Sequence, residues 1–104
     1  MTDAIVITGG GSGIGRAIAL RVARAGHFVA ILDQDLGRAH AVARECEELG
    51  SARVLAVGGD VSNENDIARA FEIIAERLGG VDGVVANAVI EVIWHIAELD
   101  LATW

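Results

Sequence analysis

The apolar run Ala4-Ile5-Val6-Ile7 leads directly into Thr8-Gly9-Gly10-Gly11-Ser12-Gly13-Ile14-Gly15, and this junction constrains the chain more than any other stretch. Glycines reach φ > 0 without penalty and let a ligand approach the backbone closely. Past the glycines the apolar spacing turns helical, so a buried strand feeds a turn and the turn feeds a helix. The free N–H groups and positive dipole end of such a helix form an anion site. The anion that this order of elements suits is a pyrophosphate, most often that of a dinucleotide. A flexible glycine loop without a ligand is the plain alternative. Context argues for the ligand: Asp33 ends the next apolar run eighteen residues after Gly15, close to the roughly 20-residue offset of the acid that grips an adenosine ribose.

Residues 4–8 read as the first strand. From Gly13 to Ala25 the positions Ile14, Ala17, Ile18, Val22 and Ala25 share one helical face, with Arg16, Arg21 and Arg24 directed to water and Gly26 as the left-handed stop. Phe28 to Leu32 is a second strand, continuously apolar, as strands of a parallel sheet covered on both faces are. Gln34 to Gly37 reads as a loop. The helix after it carries Ala39, Val42, Ala43, Cys46 and Leu49 inward and stops at Gly50. Arg53 to Val57 forms the third strand. Ser62 is the expected N-cap of a third helix, with Glu64 and Asp66 in its first turn, the stripe Ile67, Ala70, Phe71, Ile74 and Leu78, and a stop at Gly79-Gly80. Val81 and Val84-Val85-Ala86 supply a fourth strand that delivers Asn87-Ala88. Val89 to Ile96 reads as a loop or short strand, and Asp100 to Trp104 as the capped start of another helix. The pattern βαβαβαβ predicts an α/β fold, a Rossmann-type doubly wound parallel sheet cut short after its fourth strand.

At 104 residues the chain is one small domain, and its 53% apolar content is enough for a core. The net charge is −7 and all eight basic residues are Arg, so no basic patch points to nucleic acid or an anionic membrane. No apolar run approaches the roughly 18 residues of a span, and no signal pattern opens the chain; cytoplasm is the expected location. Cys46 has no partner for a disulfide and reads as packing. His27, His40 and His95 lie apart from any ligand-spaced acid or thiol, so no metal is expected. Trp94 and Trp104 read as packing residues.

These residues resemble the short-chain dehydrogenase/reductase family. Thr8-Gly9 with Gly13-Ile14-Gly15 fits its T-G-x-x-x-G-I-G turn, Asp60-Val61 its pair after the third strand, and Asn87-Ala88 its asparagine motif after the fourth. The resemblance covers the whole chain, read as residues 1–104 of a partial NAD(P)-binding domain. It implies cofactor-binding roles for Gly9, Ser12, Gly13, Ile14, Gly15, Asp33, Asp60, Val61, Asn87 and Ala88: Ser12 facing the dinucleotide, Asp33 on the ribose, Asp60 by the adenine ring, and Asn87 steadying the central strand. Arg16 reads as a solvated side chain rather than a phosphate ligand. Two departures stand out. Val89 replaces the family glycine of N-A-G, adding bulk at the nicotinamide end. The family's catalytic Asn, Ser, Tyr and Lys lie beyond this stretch, and the chain contains no Tyr and no Lys, so no catalytic residue is assigned.

The resemblance implies a nicotinamide-dependent oxidoreductase acting on an alcohol or carbonyl substrate, represented by its dinucleotide-binding half. NAD is expected over NADP, because Asp33 would repel a 2′-phosphate and the glycine turn carries no base. A non-catalytic dinucleotide-binding or sensor module would share every motif. A methyltransferase using S-adenosylmethionine fits less well, given the Thr-led turn and the Asn87 motif. With Val81 to Ala86 as an open apolar edge, either association into a homo-oligomer or a loosely packed C-terminal third is expected, the alternative being that residues 89–104 fold back over the exposed face.

Overall fold

The computed structural model describes residues 2–87. Within it Val6, Ile7, Val29, Ala30, Ile31 and Leu32 are all 0% exposed, which requires cover on both faces of the strands that carry them. The elements run β1 (Ala4–Thr8), α1 (Gly13–Arg24), β2 (Phe28–Asp33), α2 (Leu36–Glu48), β3 (Val54–Gly58), α3 (Glu64–Leu78) and β4 (Gly83–Ala86). All neighbouring strands are parallel, in the order β3-β2-β1-β4. The doubly wound α/β sheet expected from the continuous apolar strands is what forms.

Because side chains alternate across a strand, each strand contributes to two cores. Ile7, Val29 and Ile31 face α1 and α2, meeting Ala19, Ala23, Ala39, Val42 and Cys46. Ala4, Val6, Ala30 and Leu32 face α3, meeting Ala70, Ile74 and Leu78. Asp82 fixes the start of β4 to β1: its carboxylate accepts the Ala4 N–H at 2.7 Å and its own N–H donates to Ala4 O at 2.8 Å.

Helix α1 departs from the expected stripe. Its buried residues are Gly15, Ala19 and Ala23, one position on from Ile14, Ile18 and Val22 and hence about 100° around the helix. Ile14 is 72% exposed, Ala17 and Ala25 are exposed, and Ile18 and Val22 lie half-buried at the margin. Bulk misled the sequence reading, since this interface selects small residues. Three of them at i, i+4 and i+8 let α1 lie close to the sheet and to α2, where the Cys46 thiol donates to Ala19 O at 3.6 Å.

The helix starts also shift. α2 begins at Leu36, so Gly37 is helical and the connection from β2 is only Gln34-Asp35; the Asp35 side chain caps the helix by accepting the Arg38 N–H at 3.1 Å. α3 is capped by Asn63, whose Oδ1 accepts from Asn65 N at 3.0 Å and Asp66 N at 3.1 Å. Ser62, the expected cap, is turned back to Asp60 instead. β3 starts at Val54 rather than Arg53, and β4 at Gly83, with Val81 packed on the α3-side core. The inward faces of α2 and α3 and the stops at Gly26, Gly50 and Gly79, all with positive φ, are as expected.

Burial pushes the Cys46 thiol up to about 11, with Glu45 and Glu47 adding to the effect, so it stays protonated and packs. No described helix is long and apolar enough to cross a membrane. Readings that fall on Ala88 to Trp104 lie outside the described residues.

The two candidate caps can be told apart. Asn63→Ala is expected to lower stability by about 1 kcal/mol through loss of the α3 cap, and Ser62→Ala by clearly less. Urea unfolding of the two variants checks this, and the reverse order would show that Ser62 holds the helix.

Candidate functional site

Following the chain, strands are added on one side of β1 (β2, then β3) until β4 is placed on its other side. The order reverses at β1, and in open parallel sheets the crevice at the carboxyl ends beside such a reversal is where ligands bind. The Gly9–Ser12 turn leaves β1 at that point.

The turn is held from both sides. On the β2 side, the Gly9 N–H donates to Leu32 O at 2.7 Å. On the β4 side, Asn87 donates from its backbone N to Thr8 Oγ1 at 3.0 Å and from Nδ2 to Gly9 O at 3.3 Å, while Thr8 Oγ1 donates to Val85 O at 3.3 Å. Helix α1 closes onto this junction at Gly15, where a Cβ would lie 2.2 Å from Gly9 O and 2.5 Å from Asn87 Nδ2. Gly9 and Gly13 adopt φ of +66° and +58°, a region that glycine alone enters freely.

The three helix starts are not equivalent. Asp35 caps α2; Asn63 caps α3, which also has Glu64 and Asp66 in its first turn. α1 has no acid in its first turn, and its N-cap Ser12 makes no side-chain capping bond. Among the described residues its positive end is therefore left without a capping side chain or a first-turn acid, and it opens beside the glycine turn.

Asp33, at the end of β2, turns its carboxylate back toward that turn. Oδ2 accepts the Gly11 N–H and Oδ1 the Asp35 N–H, both at 2.9 Å. Asp60, past the end of β3, is fixed by Ser62, whose N–H and hydroxyl both donate to Oδ1, at 2.9 and 2.6 Å. Those bonds, the hydroxyl's foremost, hold the Asp60 carboxyl below the usual carboxylate range. The Asp60 N–H in turn donates to Asp66 Oδ2 at 3.2 Å.

A groove of about 250 Å³ runs across these strand ends. It brings together Gly9, Ser12, Asp33, Asp60, Val61 and Asn87 of the sequence-derived set. Gly13 and Ile14 are exposed in the first turn of α1, and Gly15 lies buried beneath the turn, acting on the groove through packing. Ala88 lies outside the described residues. Leu32, Gln34 and Gly59 also line the groove, and the sequence reading missed them; adjacency to Asp33 and Asp60 was the available signal for Gln34 and Gly59. A neighbouring hollow of about 300 Å³ continues past Gln34, Gly59 and Asp60 to Asp66, Arg69 and Ile73 of α3.

Arg16 is exposed, as expected, but has a partner: its guanidinium donates to Glu45 of α2, from Nε at 3.0 Å and also from Nη2. This bond raises the Arg16 pKa and lowers that of Glu45. Arg38 is tied to Asp35, Nε to Oδ2 at 3.4 Å. Among the described residues no three His, Cys, Asp or Glu side chains cluster as metal ligands would.

Comparison with known proteins supplies a context for this geometry. Residues 3–104 match the short chain dehydrogenase family. The chain is 37% identical over 102 residues to 2-(S)-hydroxypropyl-CoM dehydrogenase 3 of Xanthobacter autotrophicus, covering 98% of this chain and 40% of that protein. Among solved structures it is similar to L-sorbose reductase from Gluconobacter frateurii complexed with NADPH and L-sorbose, at TM-score 0.80 and 35% identity over 85% of this chain and 34% of that one. It is also similar to 3-ketoacyl-(acyl-carrier-protein) reductase from Brucella melitensis complexed with NADH, at TM-score 0.70 and 40% identity over 79% of this chain and 32% of that one. The chain thus spans well under half the length of these relatives. With the family match running through the glycine turn, both acid-bearing strand ends and Asn87, the chain belongs to the short-chain dehydrogenase/reductase family.

Proposed function

We propose that residues 1–104 form the dinucleotide-binding part of a nicotinamide-dependent oxidoreductase, which transfers a hydride between the cofactor and an alcohol or carbonyl substrate, and that the cofactor is NAD. The observation that carries this is the Asp33 carboxylate, anchored 2.9 Å from the Gly11 amide within the groove that the glycine turn also lines. The residues present fit such a cofactor. Gly13 has open space where a Cβ would sit, so a phosphate can approach the backbone. Beside it, the uncapped amides of α1 await an anion.

In this reading Gly9, Ser12 and the first turn of α1 hold the pyrophosphate, with Gly13, Ile14 and Gly15 shaping that turn. Asp33 accepts hydrogen bonds from the adenosine ribose hydroxyls, Asp60 and Val61 flank the adenine, and the Asn87-Ala88 motif serves the nicotinamide end. The bound nicotinamide supplies the hydride chemistry; the protein positions it and furnishes a proton. The relatives include one solved with NADH and one with NADPH, so the preference for NAD rests on this chain's own residues. Asp33 brings a negative charge to the ribose position, Gly10, Gly11 and Ser12 bring no positive one, and Arg38 is drawn to Asp35. A cytoplasmic location accords with a lone cysteine that is buried, free and protonated. Homo-oligomerisation accords with β4 as an outer strand of the described sheet, where Val84 is 50% exposed.

Three outcomes follow. Calorimetric titration should show NADH binding more tightly than NADPH, and Asp33→Ala should weaken NADH by roughly 10–100-fold, the loss of hydrogen bonds to a charged group, while NADPH gains relative to it. Tighter NADPH binding by the unaltered chain would overturn the choice of NAD, and binding of neither would overturn the whole reading. The 104 residues alone, holding no Tyr or Lys for proton transfer, should show no substrate-dependent NADH turnover; general acid–base groups contribute typically about 10²–10⁴-fold, and a measurable rate would contradict the assignment of binding parts only. Val84→Lys should lower the mass seen by light scattering at micromolar concentration, whereas an unchanged mass would remove β4 from the interface.

A further inference from the structure

Gly11 differs from Gly9 and Gly13, and, unlike Gly10, whose missing Cβ would meet the Ile31 and Ile7 side chains, it faces a charged group. Gly9 and Gly13 have positive φ and Gly11 does not, so backbone conformation does not demand glycine there. Space does. Gly11 is buried, and a Cβ added to it would lie 2.6 Å from Asp33 Oδ2, 2.8 Å from Arg38 Cβ and 3.1 Å from Asp33 Cγ. The first contact is with the carboxylate that its own N–H binds at 2.9 Å. The second is with a side-chain root in the first turn of α2, which can move only if the helix start moves. Any larger residue must therefore displace either the carboxylate or that helix start.

The orientation so imposed has a chemical consequence. Asp33 receives one backbone N–H on each oxygen, from Gly11 on Oδ2 and from Asp35 on Oδ1. An ionised carboxylate has about four lone-pair sites, so each oxygen retains one for a further donor. Two vicinal ribose hydroxyls are a matching pair of donors, and a 2′-phosphate offers only negative charge in the same place.

The geometry points to Gly11 as a positioning residue for cofactor specificity: its amide, together with its lack of a side chain, holds the Asp33 carboxylate where it receives the ribose 2′- and 3′-hydroxyls. This rests on the reading of Asp33 as the ribose acceptor. Gly11 acts through Asp33, and the substitution that matters is the smallest one.

The test uses the full chain with four probes: NADH, NADPH, 5′-AMP and adenosine 2′,5′-bisphosphate. Gly11→Ala should weaken NADH and 5′-AMP by roughly 10–100-fold, with NADPH and the bisphosphate changing by less than about threefold. In an Asp33→Ala background the same substitution should change NADH affinity by less than about threefold, because two residues acting through one interaction are not additive. A measurement that leaves Gly11 in place covers the case where Gly11→Ala fails to fold: hydrogen exchange at the Gly11 amide should be slow in the unaltered chain and faster in Asp33→Ala. Equal losses for all four probes, additive losses in the double variant, or Gly11 exchange that ignores Asp33 would each overturn the inference. If the unaltered chain binds none of the probes, the reading of Asp33 falls and takes the inference with it. If it binds NADH and Gly11→Ala binds NADH equally well, the inference alone falls.

Discussion

The contact at Gly15 sets the terms for the rest of the structure. The start of α1, the carbonyl of Gly9 and the amide of Asn87 meet there with no room for a single methyl group. A backbone oxygen cannot step aside as a flexible side chain can, so the helix, the turn and the end of β4 keep a fixed mutual geometry. The hydrogen bonds from Asn87 to Gly9 and Thr8 run through the same point. β4 thus serves as more than a neighbour of β1: it sets the floor of the turn from which the groove opens. Because Asn87 lies 78 residues along the chain from Gly9, this junction forms only when β4 has paired with β1.

How much of this the sequence carried depends on what kind of interaction decides each feature. The strands were legible because burial on both faces leaves continuous apolar runs, and the sites at their ends followed from glycine and acid positions relative to those runs. The helix faces of α2 and α3 were legible for the same reason. α1 was not, because its inward face is made of Gly15, Ala19 and Ala23, and small residues chosen for close approach leave a weak hydrophobic signature beside Ile14, Ile18 and Val22. The caps were displaced by competition between neighbouring polar residues. Ser62 and Asn63 both suit an N-cap, and Asp60 takes Ser62 for itself, leaving Asn63 to the helix.

The candidate site divides in a similar way. Residues that line the groove at strand ends were readable from motif spacing, since every strand of this parallel sheet ends on the same side. What the spacing could not convey is which groups hold those residues in place. Asp66 supports the Asp60 amide from α3, and Asp35 at once caps α2, donates its N–H to Asp33 and draws Arg38 toward itself. These are side-chain geometries in loops of two and five residues and the helix turns that follow them, where a one-residue shift of the helix start changes every partner.

A chain of net charge −7 that is to hold an anionic ligand must do so locally, since its overall field is repulsive. The three helix starts show how that is arranged. α2 and α3 spend side-chain oxygens and acids on their own N-termini, which stabilises them and cancels their positive ends. α1 forgoes the cap, and an absent cap costs about 0.5–2 kcal/mol of helix stability. That sacrifice leaves uncancelled backbone dipoles within a groove whose other charges, Asp33 and Asp60, stand at strand ends beyond the turn. Arg16, the cation nearest in sequence to the turn, is held against Glu45 and adds no mobile charge to the groove. On the proposed reading, selectivity comes from the separation of the two fields: backbone amides at the helix start would receive phosphate, and carboxylates farther along would receive hydroxyl or amino donors. A ligand with both chemistries at matching separation would satisfy the groove, and its binding would restore to α1 the stabilisation that a capping side chain gives.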